Sequence, residues 1–145
     1  MKTIRLTDLR LVYINQLFNA SVETVFDAWL KPEVIKGWLF KSATNQIIDV
    51  KIDAKVGGRF SIVERSKNGE TIDHFGTYRQ FERPNLLIFT LEVPRHFPGV
   101  STVTVDLQPT TNGCELNFTQ TGVEPAIVED NWREMLQQLN QLVAQ

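Results

Sequence analysis

The sequence predicts an α+β protein: a curved antiparallel sheet of about seven strands, two short helices after the first strand, and a long C-terminal helix packed across the sheet. Three observations carry this. In residues 124–145, Val128, Trp132, Met135, Leu136, Leu139, Leu142 and Val143 recur at helical spacing, while Arg133, Glu134, Gln137, Gln138, Asn140 and Gln141 between them are polar. From Gln46 onward the hydrophobic period drops to two, as in strands with one wet face. Turn dipeptides, Asn68-Gly69 and Asn112-Gly113, punctuate those runs as hairpins.

In chain order, residues 9–18 are rich in Leu, Val, Tyr and Ile and predict the first strand. Ser21 is placed to cap a helix, with Ala20 and Val25 as its hydrophobic staple and Val22, Val25, Phe26, Trp29 and Leu30 on one side. Pro32 disfavours helix in the residue before it, so this helix is expected to stop at Lys31 and a second to run over 32–39, ending near Gly37. In the first hairpin strand Ile48, Val50 and Ile52 alternate with Asp49, Lys51 and Asp53. Gly57-Gly58 then marks a turn or bulge before the strand over 59–65. Strands over 71–81 and 86–93 flank Arg83-Pro84-Asn85. In the last two, Val103, Val105 and Leu107, then Cys114, Leu116 and Phe118, share the apolar face. Pro125 suits the first helical position, and Glu124, Glu129 and Asp130 place negative charge near the positive end of the helix dipole. A helix over 125–143 is roughly 28 Å long at about 1.5 Å per residue, enough to cross a small sheet.

A chain of 145 residues suits one domain. Its 42% hydrophobic and 22% charged composition is that of a soluble globular protein. Net charge is −2 with a pI near 5.7, and acids and bases are interspersed, which argues against nucleic acid and membrane as partners. The lone Cys114 cannot form an intrachain disulfide, and the uncharged run over 11–22 contains Asn15, Gln16 and Asn19, unlike a signal-peptide core or a membrane span. A cytoplasmic protein is expected.

Several segments resemble a known family: Phe18-Asn19-Ala20-Ser21-Val22-Glu23-Thr24-Val25-Phe26-Asp27-Ala28-Trp29, then Pro32-Glu33 and Trp38, Val56-Gly57-Gly58-Arg59-Phe60, Gly76-Thr77-Tyr78-Arg79, Arg83-Pro84-Asn85-Leu86-Leu87-Ile88-Phe89-Thr90, and Trp132 through Leu139. Together they are similar to homologues of the C-terminal domain of the activator of heat-shock protein 90 ATPase, within the START-like or SRPBCC superfamily of helix-grip folds. Departures are Asn131, where a glycine commonly precedes the tryptophan, and Leu30-Lys31 in place of the usual Thr-Asp. The resemblance implies that residues 1–145 form a single START-like domain with adjacent first and last strands and a hydrophobic cavity between sheet and final helix.

The leading expectation is therefore a binding protein for a small hydrophobic or amphipathic molecule, with Trp38, Phe60, His74, Tyr78, Phe89, Trp132 and Leu136 as candidate contacts. Selectivity would come from His74, Tyr78 or Arg59. His74 and Tyr78 share one face of their strand with Ile72 and Gly76, against Phe75, Thr77 and Phe81 on the other, and periodicity does not settle which face is inward. Trp38 is expected at a pocket mouth and Trp132 on the roof. Arg95-His96-Phe97, bracketed by Pro94 and Pro98, is either an entrance cap or a solvated turn.

His74, His96 and Cys114 lack the paired spacing of metal ligands, so neither metal nor cofactor is expected. Asp73 would point away from His74 across the strand, and no serine or cysteine sits in a nucleophile motif. No catalytic residue is assigned. The alternatives to ligand binding are a co-chaperone-like interaction module and a cyclase- or hydrolase-type enzyme using isolated polar groups. A homodimer is left open.

Overall fold

The computed structural model describes residues 11–144. Strand β1 (Leu11–Phe18) leads to two short helices, α1 (Val22–Asp27) and α2 (Pro32–Ile35). Strands β2 (Gln46–Ile52), β3 (Arg59–Arg65), β4 (Thr71–Glu82), β5 (Leu86–Leu91), β6 (Ser101–Thr110) and β7 (Gly113–Thr121) follow, then helix α3 (Pro125–Val143). The sheet order is β1-β7-β6-β5-β4-β3-β2. All pairs are antiparallel, and β1 closes on β7, as the resemblance implies. Leu9 and Arg10 of the predicted first strand lie outside the described residues.

Local chemistry explains the elements. The Ser21 hydroxyl accepts the Thr24 backbone N–H, one of the donors that a helix start leaves unpaired. α1 ends at Asp27, short of the expected Lys31, and the chain tightens into a turn in which Leu30 N–H bonds the Asp27 carbonyl at 3.0 Å. α2 likewise stops at Ile35 and continues as turns through Phe40. The Arg83 guanidinium grips the Asp27 carboxylate through two bonds of 2.8 and 2.9 Å, tying the β4–β5 turn to α1.

In β2 the simple alternation fails. A register shift between Ile47 and Asp49 inserts one residue, so Ile47 is buried and pairs with Glu64 while Ile48 is turned out. After the bulge, Val50 and Ile52 oppose the inward Ile62 and Phe60. The core lies between the sheet's inner face, α1–α2 and α3. Phe26, Trp38, Leu87, Leu107, Leu116, Phe118, Leu136 and Leu139 are wholly inaccessible there. Trp132, Met135, Leu136 and Leu139 are the part of the α3 stripe that is buried. Leu142 remains half exposed, yet it packs on Gly37, where an added Cβ would sit 3.0 Å from its Cδ1.

Candidate functional site

A half-enclosed pocket of about 200 Å³ lies under the N-terminal half of α3. Its walls come from segment 40–45, Glu64 of β3, His74 of β4, Leu91 of β5, the turn carrying Val93, His96 and Phe97, Gln120 of β7, and Val128, Asn131, Trp132, Glu134 and Met135 of α3. Two larger hollows, of about 380 and 520 Å³, are more open surface grooves, one around Lys51 and Asp73 and the other around Asn19 and Asn112.

Strand parity builds the polar end. Along β3 the inward residues are Phe60, Ile62 and Glu64; along β4 they are Ile72, His74, Gly76 and Tyr78. This settles the open face of β4. Glu64 and His74 meet on the inner surface, with His74 Nε2 at 2.9 Å from Glu64 Oε1. The other carboxylate oxygen accepts from Asn45 Nδ2. Asn45 also donates to the Phe40 carbonyl at 2.8 Å and accepts the Ser42 N–H at 2.8 Å, so one side chain organises the whole 40–45 segment. Phe40 has φ 60°, a left-handed backbone held by that bond and by its own N–H on Met135 Sδ at 2.9 Å. Its ring stacks on His74 with centroids 4.0 Å apart and planes at 11°.

Burial pushes the His74 pKa down, and this outweighs the opposing pull of Glu64, leaving the ring neutral at pH 7. Burial works the other way on Glu64. Hydrogen bonds from His74 and Asn45 overcome it and hold the carboxyl below its ordinary value, so it is ionised. Neutral His74 then carries its proton on Nε2, donated to Glu64. Its Nδ1 is buried and has no hydrogen-bond partner among the described residues.

The opposite wall is a second relay. Trp132 Nε1 donates to Gln120 Oε1 at 2.8 Å, Gln120 Nε2 to Ser101 Oγ at 3.0 Å, and Ser101 Oγ to the Leu91 carbonyl at 2.9 Å. Every step is buried, so the roof tryptophan is fixed in orientation as well as in depth.

Of the sequence candidates, His74 and Trp132 line this pocket. Trp38 does not stand at a mouth: it is wholly buried against Trp29, with its indole N–H on the Ala28 carbonyl at 3.0 Å. Phe60, Tyr78 and Phe89 meet each other around a void of only about 10 Å³, too small for a ligand. Leu136 is wholly buried core. Arg59 points outward, its guanidinium 3.4 Å from Thr77 Oγ1, and Asp73 bonds Ser61 on the outer face. The turn after β5 contributes His96 and buried Phe97 to the pocket wall.

Sequence reading missed Phe40, Asn45, Glu64 and Gln120. Glu64 had a signal: it continues the inward parity of Phe60 and Ile62, and a carboxylate on an apolar face demands partners. Cys114 is inaccessible and burial pushes its thiol up to about 11, so it is no nucleophile in the folded protein. Among the described residues no group of three or more His, Cys, Asp or Glu side chains converges to hold a metal ion, and no helix is long and apolar enough to cross a membrane.

A curved antiparallel sheet gripped by a C-terminal helix, with a pocket under that helix, is the START-like architecture of the SRPBCC superfamily, a ligand-binding type of domain. The chain belongs to the family described as Activator of Hsp90 ATPase homolog 1-like protein, whose model matches residues 19–144. Solved structures share the fold. A Chromobacterium violaceum protein is 24% identical with a TM-score of 0.82, covering 94% of this chain and 98% of its own. A Rhodobacter sphaeroides protein is 19% identical with a TM-score of 0.83, covering 97% and 95%. An AHSA1-like protein from Aeromonas hydrophila is 23% identical with a TM-score of 0.77, covering 90% of each chain. No functionally curated protein matches the sequence.

Proposed function

We propose that this protein binds a small amphipathic molecule in the pocket under α3, apolar end against Leu91, Val93, Phe97, Val128 and Trp132, polar end toward Glu64 and His74. The observation that carries the reading is a half-enclosed space, walled in part by apolar side chains, that ends on a buried, hydrogen-bonded carboxylate–histidine pair. Its volume of about 200 Å³ lies below the roughly 300–1,000 Å³ of sites for drug-sized molecules, so the ligand is small: one ring with a short chain, rather than a long acyl lipid. The buried lone cysteine supports a reducing, cytoplasmic setting.

A thermal-shift screen of small aromatic and alicyclic amphiphiles tests this. A ligand at a hundredfold excess over its Kd adds about 2.7 kcal/mol, hence a Tm rise of roughly 5–10 °C for a chain of this size. Stabilisation by at least one compound, lost in a Trp132→Ala variant that remains folded, is expected. A screen in which no compound moves the Tm contradicts the reading. The family's description also supports a competing one, contact with a chaperone, under which added protein changes a chaperone's ATPase rate whether or not the pocket is blocked.

A further inference from the structure

The pocket holds a carboxylate that is short of positive charge. Glu64 is 8% exposed, and among the described residues the only cation-capable group within ion-pair distance is the His74 ring. That ring is neutral when it donates from Nε2 alone, and Asn45, the other donor, is uncharged. Lys41 lines the same pocket, but its ammonium is turned to the backbone carbonyls of Ser42 and Asn45. His96 also lines the pocket but forms no ion pair with Glu64, and Glu134 on α3 adds a second acid to the lining. Buried carboxylates are ordinarily paired with a cation, and among the described residues no lysine or arginine lies within ion-pair distance of this one.

Hydrogen-bond inventory points the same way. Each Glu64 oxygen accepts one bond and has capacity for another, and His74 Nδ1 is a bare acceptor. The donors nearest them are engaged: Lys41 on carbonyls, Asn45 on Phe40 and Glu64, Gln120 on Ser101. At Glu64 and His74 themselves the free valences are therefore acceptors. Around them stand the aromatic rings of Phe40, Phe97 and Trp132, whose faces attract cations.

We propose that the ligand's polar end is a protonated amine that seats against the Glu64 carboxylate, making this pocket a site for small aryl- or alkyl-ammonium compounds and not for fatty acids or other carboxylates. The proposal rests on the reading of the pocket as a binding site and adds the charge of what it takes. An amine donates up to three hydrogen bonds and supplies the missing charge. A carboxylate would meet Glu64 as a like charge, and an alcohol would satisfy one acceptor and leave the charge unpaired.

Three near-isosteric probes test it on the wild-type protein by calorimetry or chemical-shift titration at pH 7.5: 2-phenylethylamine, 2-phenylethanol and phenylacetate. The amine is expected to bind at least about tenfold tighter than the alcohol, with phenylacetate weakest. In Glu64→Gln, checked for native near-ultraviolet dichroism, the amine's advantage over the alcohol is expected to vanish while the alcohol still binds. Alcohol or phenylacetate binding as tightly as the amine overturns the charge assignment and leaves the pocket standing, as does an amine preference that survives in Glu64→Gln. Binding by none of the three also overturns it, and the broader thermal-shift screen then decides the pocket reading separately. The wild-type comparison needs no variant, so it holds even where Glu64→Gln does not fold.

Discussion

His74 Nε2 lies 2.9 Å from Glu64 Oε1 in the pocket wall, and the two groups depart from their ordinary acidities in a way that ties stability to pH. The unfolded chain protonates His74 near 6.5, whereas the folded chain resists because burial disfavours the charged ring. As pH falls below that value the unfolded state binds more protons, so folding loses stability, by at most about 1.4 kcal/mol per pH unit for one group. Glu64, lowered in the fold from 4.5, adds a second loss of the same sign at more acid pH. The Tm is expected to drop between pH 7.5 and 5.5, and to drop less in His74→Gln. A wild-type Tm that is flat or rises on acidification contradicts the assignment.

Trp132 is 2% exposed, packs on Phe118 with ring centroids 4.4 Å apart, and bonds Gln120. Trp132→Ala is expected to cost about 3–5 kcal/mol in urea unfolding. Trp132→Phe keeps much of the packing but strands Gln120 Oε1, for a smaller loss of about 1–3 kcal/mol. A loss below about 1 kcal/mol for the alanine variant would mean that the indole is not part of the packed core.

Gly76 pairs with Phe60 of β3 and lies between the Phe75–Glu92 bridge and the Tyr78–Phe89 pair. An added Cβ would lie 1.8 Å from the Thr90 carbonyl oxygen and 3.0 Å from Phe60 Cε1, and the first of these is backbone that cannot swing aside. Gly76→Ala is expected to destabilise by more than about 2 kcal/mol. Near-neutrality in denaturant titration would contradict this close approach.

Phe40 supplies a test by sign. Glycine ordinarily destabilises relative to alanine, but at φ 60° alanine suffers the left-handed penalty of about 1–2 kcal/mol and glycine does not. Phe40→Gly is therefore expected to be more stable than Phe40→Ala, with both losing the stacked ring on His74. The reverse order in thermal unfolding would show that the left-handed backbone is not retained.

The long helix was readable from the sequence because its apolar stripe runs unbroken from Val128 to Val143 on a period that nothing else produces. The hairpin order was readable because Asn68-Gly69 and Arg83-Pro84-Asn85 leave few other places for the chain to turn. Ile48 was misplaced because a bulge adds a residue that parity counting cannot see. Trp38 was misplaced because a bulky aromatic after a short helix reads as a mouth, whereas its N–H finds the Ala28 carbonyl and so permits full burial. The pocket itself depends on Phe40 and Asn45, whose positions follow from a left-handed turn and a side-chain bond to a backbone carbonyl. Neither leaves a periodic trace.

The three tryptophans make one direct measurement possible. In a heteronuclear NMR titration with a ligand from the screen, the indole N–H of Trp132, which hydrogen-bonds inside the pocket wall, is expected to shift, while that of Trp38, buried on Ala28, stays in place. A ligand that binds and moves Trp38 while Trp132 stays fixed would put the binding site elsewhere in the protein and contradict the account.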